Sequence, residues 1–438
     1  MWQTIVNAFK IKEVRNKILI TIGLLFIYRL GCFIPVPGVN LMAGLESYTF
    51  LQVMSAVSGG ALQYGTFFAM GIGPYINASI IIQLLTVGIP ALERLSKQGE
   101  EGRKKINALT RALTLILAIV QAIGIILAFK DQTTVDGVKS IEFNRIFGEQ
   151  GFGLVMSYVF LVTVYTAGAA FTMWLGERIT DYGVSNGISL LIFAGILSTA
   201  GTSILGVIRN FGAGGTVATE AAWTLIGFVL AAILIFAAIV AVSSAERKIP
   251  VQYAKQVKGR KMYGGQSTHI PIKVNASGVM PLIFAYSILS FPDLIISLVG
   301  GNPQNWWSTN VGTGTIPYMV LLCVLILFFS YFYNQIQFNP DDISKSIQGN
   351  GGFIPGTRPG KPTADYLKRI AGRITLFGAI FLALVALLPS LVFQFIGGDS
   401  LINVFSATGL LIIVSVALEF EQALQSQIMM KNYKGFLK

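Results

Sequence analysis

The chain alternates between apolar runs and short polar connections. Residues 1–17 place Trp2, Ile5, Val6 and Phe9 on one side of a helix, with Lys10, Lys12, Arg15 and Lys17 following. Ten apolar runs come next, at 18–34, 67–89, 112–129, 152–174, 188–208, 221–242, 274–299, 316–336, 374–396 and 401–420. A helix rises roughly 1.5 Å per residue and the hydrocarbon core is about 30 Å thick, so each run is about long enough to cross. The pattern predicts ten transmembrane helices behind one amphipathic helix lying on the membrane surface. The first run lacks a small-residue cleavage site before the Pro35-Val36-Pro37 turn, so it reads as a span and not as a cleaved leader.

One run departs from plain lipid-facing composition. Residues 65–85 read GTFFAMGIGPYINASIIIQLL, where Gly71, Gly73 and Pro74 interrupt the run and Asn77 and Gln83 put amides inside it. Such features are tolerated at membrane depth only where protein or a water-filled cavity satisfies their hydrogen bonds. The segment should therefore face a lumen or a neighbouring helix. Just ahead of it, 55–64 is too short and too rich in glycine to span, which predicts a re-entrant segment turning back at Gly65.

Composition agrees with a polytopic membrane protein. The 438 residues are 53% hydrophobic and 12% charged, with a mean hydropathy of +0.67. Soluble domains carry about twice that charged fraction. The formal charge of +12 fits either nucleic acid binding or basic cytoplasmic loops, and its distribution decides. With the N-terminus inside, the clusters at 10–17, 94–111, 247–273, 345–373 and 431–438 all fall in the cytoplasm, leaving outside Lys130, Lys139, Arg145 and Arg209. Both termini are expected to be cytoplasmic. Two basic inside loops, 243–273 and 338–373, are longer than a helix connection needs and should act on something large.

Chemical signals are few. Cys32 and Cys323 lie in apolar runs and read as small hydrophobes, and a single His269 allows no histidine metal pair. Residues 356–362 miss the phosphate-loop spacing, with Pro362 where a hydroxyl belongs. The spans hold no acid and base pair at mid-depth of the kind that drives a pump: Arg29 lies in the outer half of its span, and Glu177, Arg178 and Asp181 lie at a cytoplasmic end. No cofactor and no catalytic residue is expected. The reading is a passive route driven from outside.

Two long motifs sharpen it. Gly71-Ile72-Gly73-Pro74-Tyr75-Ile76, continuing through Ala78 to Gln83, and the stretch from Trp174 to Ser189, WLGERITDYGVSNGIS, resemble the two signatures of the SecY family of protein-translocation channels. The likeness continues through Gln266-Ser267-Thr268-His269 and Pro355-Gly356-Thr357-Arg358-Pro359-Gly360, covering essentially the whole chain. The resemblance implies an all-α fold of ten transmembrane helices in two inverted five-helix halves, 1–209 and 210–438, around a central pore with a plug at about 55–65. It implies a pore ring of Ile72, Ile76, Ile188, Ile192, Ile283 and Ile412. By spacing alone these isoleucines read as lipid-facing or core residues.

The same resemblance implies a plug of Ser58, Gly59, Gly60, Ala61 and Leu62, and a lateral gate for signal sequences carrying Asn77, Gln83, Gln121 and Ser287. Those four read equally well as ordinary interhelical hydrogen bonds, worth about 0.6 to 2 kcal/mol each. It further implies small membrane subunits of the SecE and SecG type, and docking of the SecA ATPase or of the ribosome and its RNA at Arg260, Lys261 and Arg358. Substrates would be unfolded secretory or membrane proteins, and the location the plasma membrane. Two rivals stay open on the residues alone: a secondary transporter with inverted repeats, and an insertase or scaffold without a pore.

Overall fold

The computed structural model describes residues 2–40, 42, 54–55, 58–130, 139–148, 150–212, 230, 233–253, 256–258, 261–263, 267–275, 278–298, 306–312, 315–396 and 407–435. Chain contacts divide it into two units. One is Met1–Gly214 with Ser287–Thr315 and Val416–Lys438, and the other is Gly215–Tyr286 with Ile316–Ser415.

In chain order the helices are α1 (Trp2–Lys10), α2 (Lys12–Gly31), α3 (Gly73–Gly88), α4 (Pro90–Ser96), α5 (Glu100–Phe129), α6 (Gly151–Tyr182), α7 (Gly187–Gly212), α8 (Ile233–Ser244), α9 (Met280–Leu298), α10 (Trp306–Asn310), α11 (Ile316–Gln337), α12 (Pro340–Gly349), α13 (Lys361–Ile396) and α14 (Ala407–Gly435). Each predicted apolar run overlaps one of them. Among the described residues four helices are long and apolar enough to cross a membrane unaided, and the bent pair α3 and α4 meets the same criterion only when taken together. Their outer faces carry uncovered apolar side chains such as Ile116, Phe152, Val324 and Phe377. A bilayer covers such faces at no polar cost.

The second run differs from expectation. Its helix starts only at Gly73, six residues later than the hydropathy suggests, and residues 58–72 run as successive turns. Pro74 sits in the first turn, the one place where a missing N–H costs nothing. Pro90 then opens α4 after a 105° bend at Ile89. In α4 the Lys97 ammonium donates to Glu93 at 2.6 Å and holds that carboxyl below its ordinary pKa. Of the stretch expected to form a plug half-helix, 55–65, Ser55 is helical and 58–65 are turns instead of helix, while 56–57 lie outside the described residues.

The core of the first unit gathers Met54, Leu62, Met70, Ala118, Ile125, Phe129, Leu161 and Tyr165 from the turn run, α5 and α6. A satellite cluster joins Ala8, Val14 and Ile18 to Val184 and Leu424. This pins α1 against the connection between α6 and α7.

In the second unit the long basic loops are not irregular. Strands β1 (Glu246–Tyr253) and β4 (Ser267–Lys273) pair antiparallel with Ile249 opposite Ile270, and β5 (Gly352–Phe353) joins β1 at Gln252 and Tyr253. Between them β2 (Gln256–Lys258) and β3 (Lys261–Tyr263) form a separate ribbon. Ile249 and Val251 on alternate positions point inward with Ile272, Ile347, Ile354 and Leu367, closing a small core over α12 and α13. Pro250 is tolerated because β5 does not reach that far along β1.

Candidate functional site

The stretch between α6 and α7 folds into a tight corner held by backbone contacts. The Thr180 hydroxyl donates to the Gly176 carbonyl and accepts from the Gly187 N–H, both at 2.9 Å. Asn186 accepts from the Ile188 N–H at 3.1 Å, the side-chain cap that starts α7. From α14, Gln427 donates to the Val184 carbonyl at 3.1 Å. A Cβ on Gly187 would stand 2.0 Å from the Gly176 carbonyl oxygen, so only glycine allows the two helices this close. The polar letters of the second motif thus serve to fix where α7 begins.

That corner sets the isoleucines. Around the bare face of Gly176, the position a Cβ would take has Leu191 Cδ1 at 3.3 Å, Ile188 Cγ1 at 3.4 Å and Ile72 Cδ1 at 3.7 Å. Ile72 from the end of the turn run and Ile188 from the start of α7 therefore both pack on Gly176 of α6. Ile76 and Ile192 follow one helical turn further along. Ile72 and Ile192 are buried, while Ile76 and Ile188 are half-buried. The remaining two of the six belong to the other unit: Ile283 on α9 is half-buried and Ile412 on α14 is buried.

Next to Ile72, Gly71 adopts φ +52°, and its carbonyl accepts from the buried Thr172 hydroxyl of α6 at 2.8 Å. Only glycine enters this left-handed region without penalty. Gly71 packs on Ser58, whose Cβ lies 3.1 Å from the point a Cβ on Gly71 would occupy. The 58–62 run is anchored: Ser58 donates to the Ser55 carbonyl at 3.1 Å, the Leu62 N–H donates to Ser58 Oγ at 3.4 Å, and Ser58, Ala61 and Leu62 are buried. Cys32 Sγ lies 3.7 Å from the Ser58 carbonyl.

The four polar residues on the spans are in different situations. Asn77 is buried on α3, and Gln83 donates to Ser79 of its own helix at 3.3 Å. Gln121 on α5 is fully buried with neither amide atom hydrogen-bonded among the described residues, and Ser287 on α9 is half-buried. Of the three basic loop residues, Arg260 lies outside the described residues and Lys261 opens β3. Arg358 is exposed at the tip of a turn pinned by Thr363 donating to the Arg358 carbonyl at 2.7 Å and Ser344 donating to the Gly360 carbonyl at 2.6 Å. Cys32 and Cys323 are free, and His269 is exposed on β4. No metal-type cluster of His, Cys, Asp and Glu occurs among the described residues.

The family model for SecY matches residues 66–421. Full-length relatives described as protein translocase subunit SecY include those of Mycobacterium tuberculosis strain H37Rv, 41% identical with all of both chains covered, and Corynebacterium glutamicum, 42% identical with 99% of each covered. The chain belongs to the SecY family. Among solved structures, "The structure of a protein conducting channel" is matched at TM-score 0.68 and 21% identity, covering 94% of this chain and 92% of the other. A canine Sec61 in a ribosome-channel complex follows at TM-score 0.63 and 18% identity, with the same coverage. This SecY-family chain is a membrane-embedded protein-conducting channel, not an enzyme, and it serves protein translocation across a membrane.

Two contacts of the SecY-family chain, made by residues its sequence had marked only as isolated charges or left unremarked, were not foreseen from its sequence. One is an ion pair between α5 and the end of α6, where Arg111 meets Glu177 at 2.7 Å. The other is Arg29, which leaves α2 near its end, donates to Ser198 of α7 and stacks 5.2 Å over the Phe33 ring. A charged residue in a span was the available signal, since such groups mark functional positions by default.

Proposed function

We propose that the halves 1–209 and 210–438 enclose a pore for unfolded polypeptide, that Ile72, Ile76, Ile188, Ile192, Ile283 and Ile412 form its constriction, and that 58–62 is the plug sealing it. The observation that carries this reading is the packing of Ile72 and Ile188 on Gly176, one residue from where Gly71 rests on Ser58. Isoleucine suits the task. It is apolar, stiff at χ1 and offers a passing backbone no hydrogen bond to linger on. A narrow apolar ring also excludes ions by dewetting when no chain fills it.

Asn77, Gln83, Gln121 and Ser287 mark the seam through which hydrophobic segments leave for lipid. Gln121 supports this, because a buried amide without partners weakens the packing it sits in. Arg358, Arg260 and Lys261 form the cytoplasmic docking surface. The pinned turn presents Arg358 outward, and a guanidinium pairs in bidentate fashion with either carboxylates or phosphates. Docking partners are a SecA-type ATPase and the ribosome, the latter supported by the canine Sec61 channel found in a ribosome complex. Small SecE-type and SecG-type subunits cover part of the lipid-facing surface. The protein lies in the plasma membrane with both termini cytoplasmic, as the basic segments require.

The test changes Cys32 and Cys323 to Ser, then compares Ile192→Cys with Leu197→Cys on the same helix, where Leu197 is 50% exposed. A secretory precursor carrying one cysteine is stalled midway. A disulfide at position 192 and not at 197 is expected. Reaction at 197 alone, or at neither position, refutes the pore assignment.

A further inference from the structure

The plug run touches one charged group. Arg29 Nη1 lies 2.5 Å from the position a Cβ on Gly59 would take, and the Gly195 carbonyl oxygen of α7 lies 3.1 Å from the same point. Gly59, at φ +71°, is thus wedged between a guanidinium and a helix backbone, where no larger residue fits. The other terminal nitrogen of Arg29 is engaged by Ser198, three residues along α7 from Gly195. Nη1 is buried and has no hydrogen-bond partner among the described residues.

We infer that Arg29 is a positioning residue that sets how readily the plug leaves, by holding a cationic N–H that closure desolvates and displacement frees. This rests on reading 58–62 as the plug. Burying a charged donor without an acceptor is unfavourable, and the penalty ends when water or a passing carbonyl reaches it. Since Ser198 keeps the guanidinium in place, the penalty falls on the closed position of Gly59. The contact therefore opposes closure. A signal sequence has less to overcome than a plug packed wholly on apolar side chains would demand.

The assay uses the complete translocase complex in liposomes, with one precursor bearing a strong signal sequence and one bearing a weakened one. Arg29→Met keeps the length and removes the donor. It is expected to lower transport of the weak precursor about tenfold while leaving the strong one close to native. Gly59→Ala forces a methyl group against Nη1 and is expected to act oppositely, raising weak-precursor transport and ion leak. A purely structural role for Arg29 would depress both precursors alike, and that result, or native behaviour of Arg29→Met, overturns the inference. The plug reading is checked separately in Ser58→Cys with Cys323→Ser, joined to the native Cys32 by a short bis-maleimide that adds one thiol at each end. Joined complexes that still transport sink the plug reading. Joined complexes that stop, beside a native-like Arg29→Met, sink only the role of Arg29.

Discussion

Replacing Gly187 by alanine puts a methyl group where the structure has no room for one. The added carbon would stand 2.0 Å from the Gly176 carbonyl oxygen and 2.7 Å from Ile179 Cβ. The first obstacle is backbone in the last turns of α6, so relief requires moving the whole corner. Overpacking of this kind costs about 1–3 kcal/mol, and the gain from alanine's better helix propensity, at most about 1 kcal/mol, is smaller still at a first helical position. A net loss of about 2 kcal/mol is expected, together with displacement of Ile188 and Ile192. Gly201 provides the control. It lies on the same helix with nothing within 4 Å of its Cβ position, so Gly201→Ala should be neutral or slightly stabilising. Thermal unfolding of the purified complex in detergent measures the first effect, and disulfide capture of a stalled precursor by Ile192→Cys measures the second. Equal behaviour of the two alanine variants would refute the claim that backbone contact at the α6–α7 corner positions the isoleucines.

Thr172→Val, nearly isosteric, leaves the Gly71 carbonyl without its buried donor and should cost about 1–3 kcal/mol, with protease cleavage appearing within 58–72 and Thr172→Ser recovering most of the loss. Arg111→Gln should cost less than about 1 kcal/mol in the same unfolding assay, because Arg111 is 53% exposed and water screens its pair with Glu177. Arg358→Glu should leave unfolding unchanged and weaken binding of a SecA-type motor or of ribosomes in cosedimentation. Native binding would remove the docking surface proposed at this turn. Ile192→Asn should raise ion leak through the idle channel, since an amide in an apolar constriction keeps it wetted.

The membrane-crossing helices were legible because each is a long apolar run bounded by charge, a property of local composition alone. The short sheet was not, although Ile249 and Val251, and Ile270 and Ile272, alternate as strand residues do. Pro250 and Pro271 sit within the two strands, and proline inside a run ordinarily argues against one. What rescues Pro250 is that β5 pairs with β1 only at Gln252 and Tyr253, and what rescues Pro271 is that β4 is an edge strand of this sheet, tertiary facts with no local trace. The same holds for Arg29, which read as a single charge in the outer half of a span. Its meaning comes from Ser198, 169 positions away, and from a glycine in the turn run. Hydropathy locates a helix, but not the residue from another helix that fills the space above a glycine.

The two motifs that carried the family resemblance turn out to build one wall by one means. Gly168 sits where a Cβ would be 2.0 Å from the Phe67 carbonyl oxygen, Gly71 is tied to Thr172, and Gly187 lies on the Gly176 carbonyl. In each case main chain touches main chain or a short hydroxyl, so the spacing of α3, α6 and α7 does not depend on how long side chains pack. Ile72, Ile76, Ile188 and Ile192 project from this frame. The constriction we propose must admit side chains of every size and then reseal, and it needs that division, because packed interiors are bistable and resist graded deformation. If the frame relied on interdigitated leucines, each passing residue would disturb the helices themselves. With the frame set by glycine contacts, only the proposed ring has to yield.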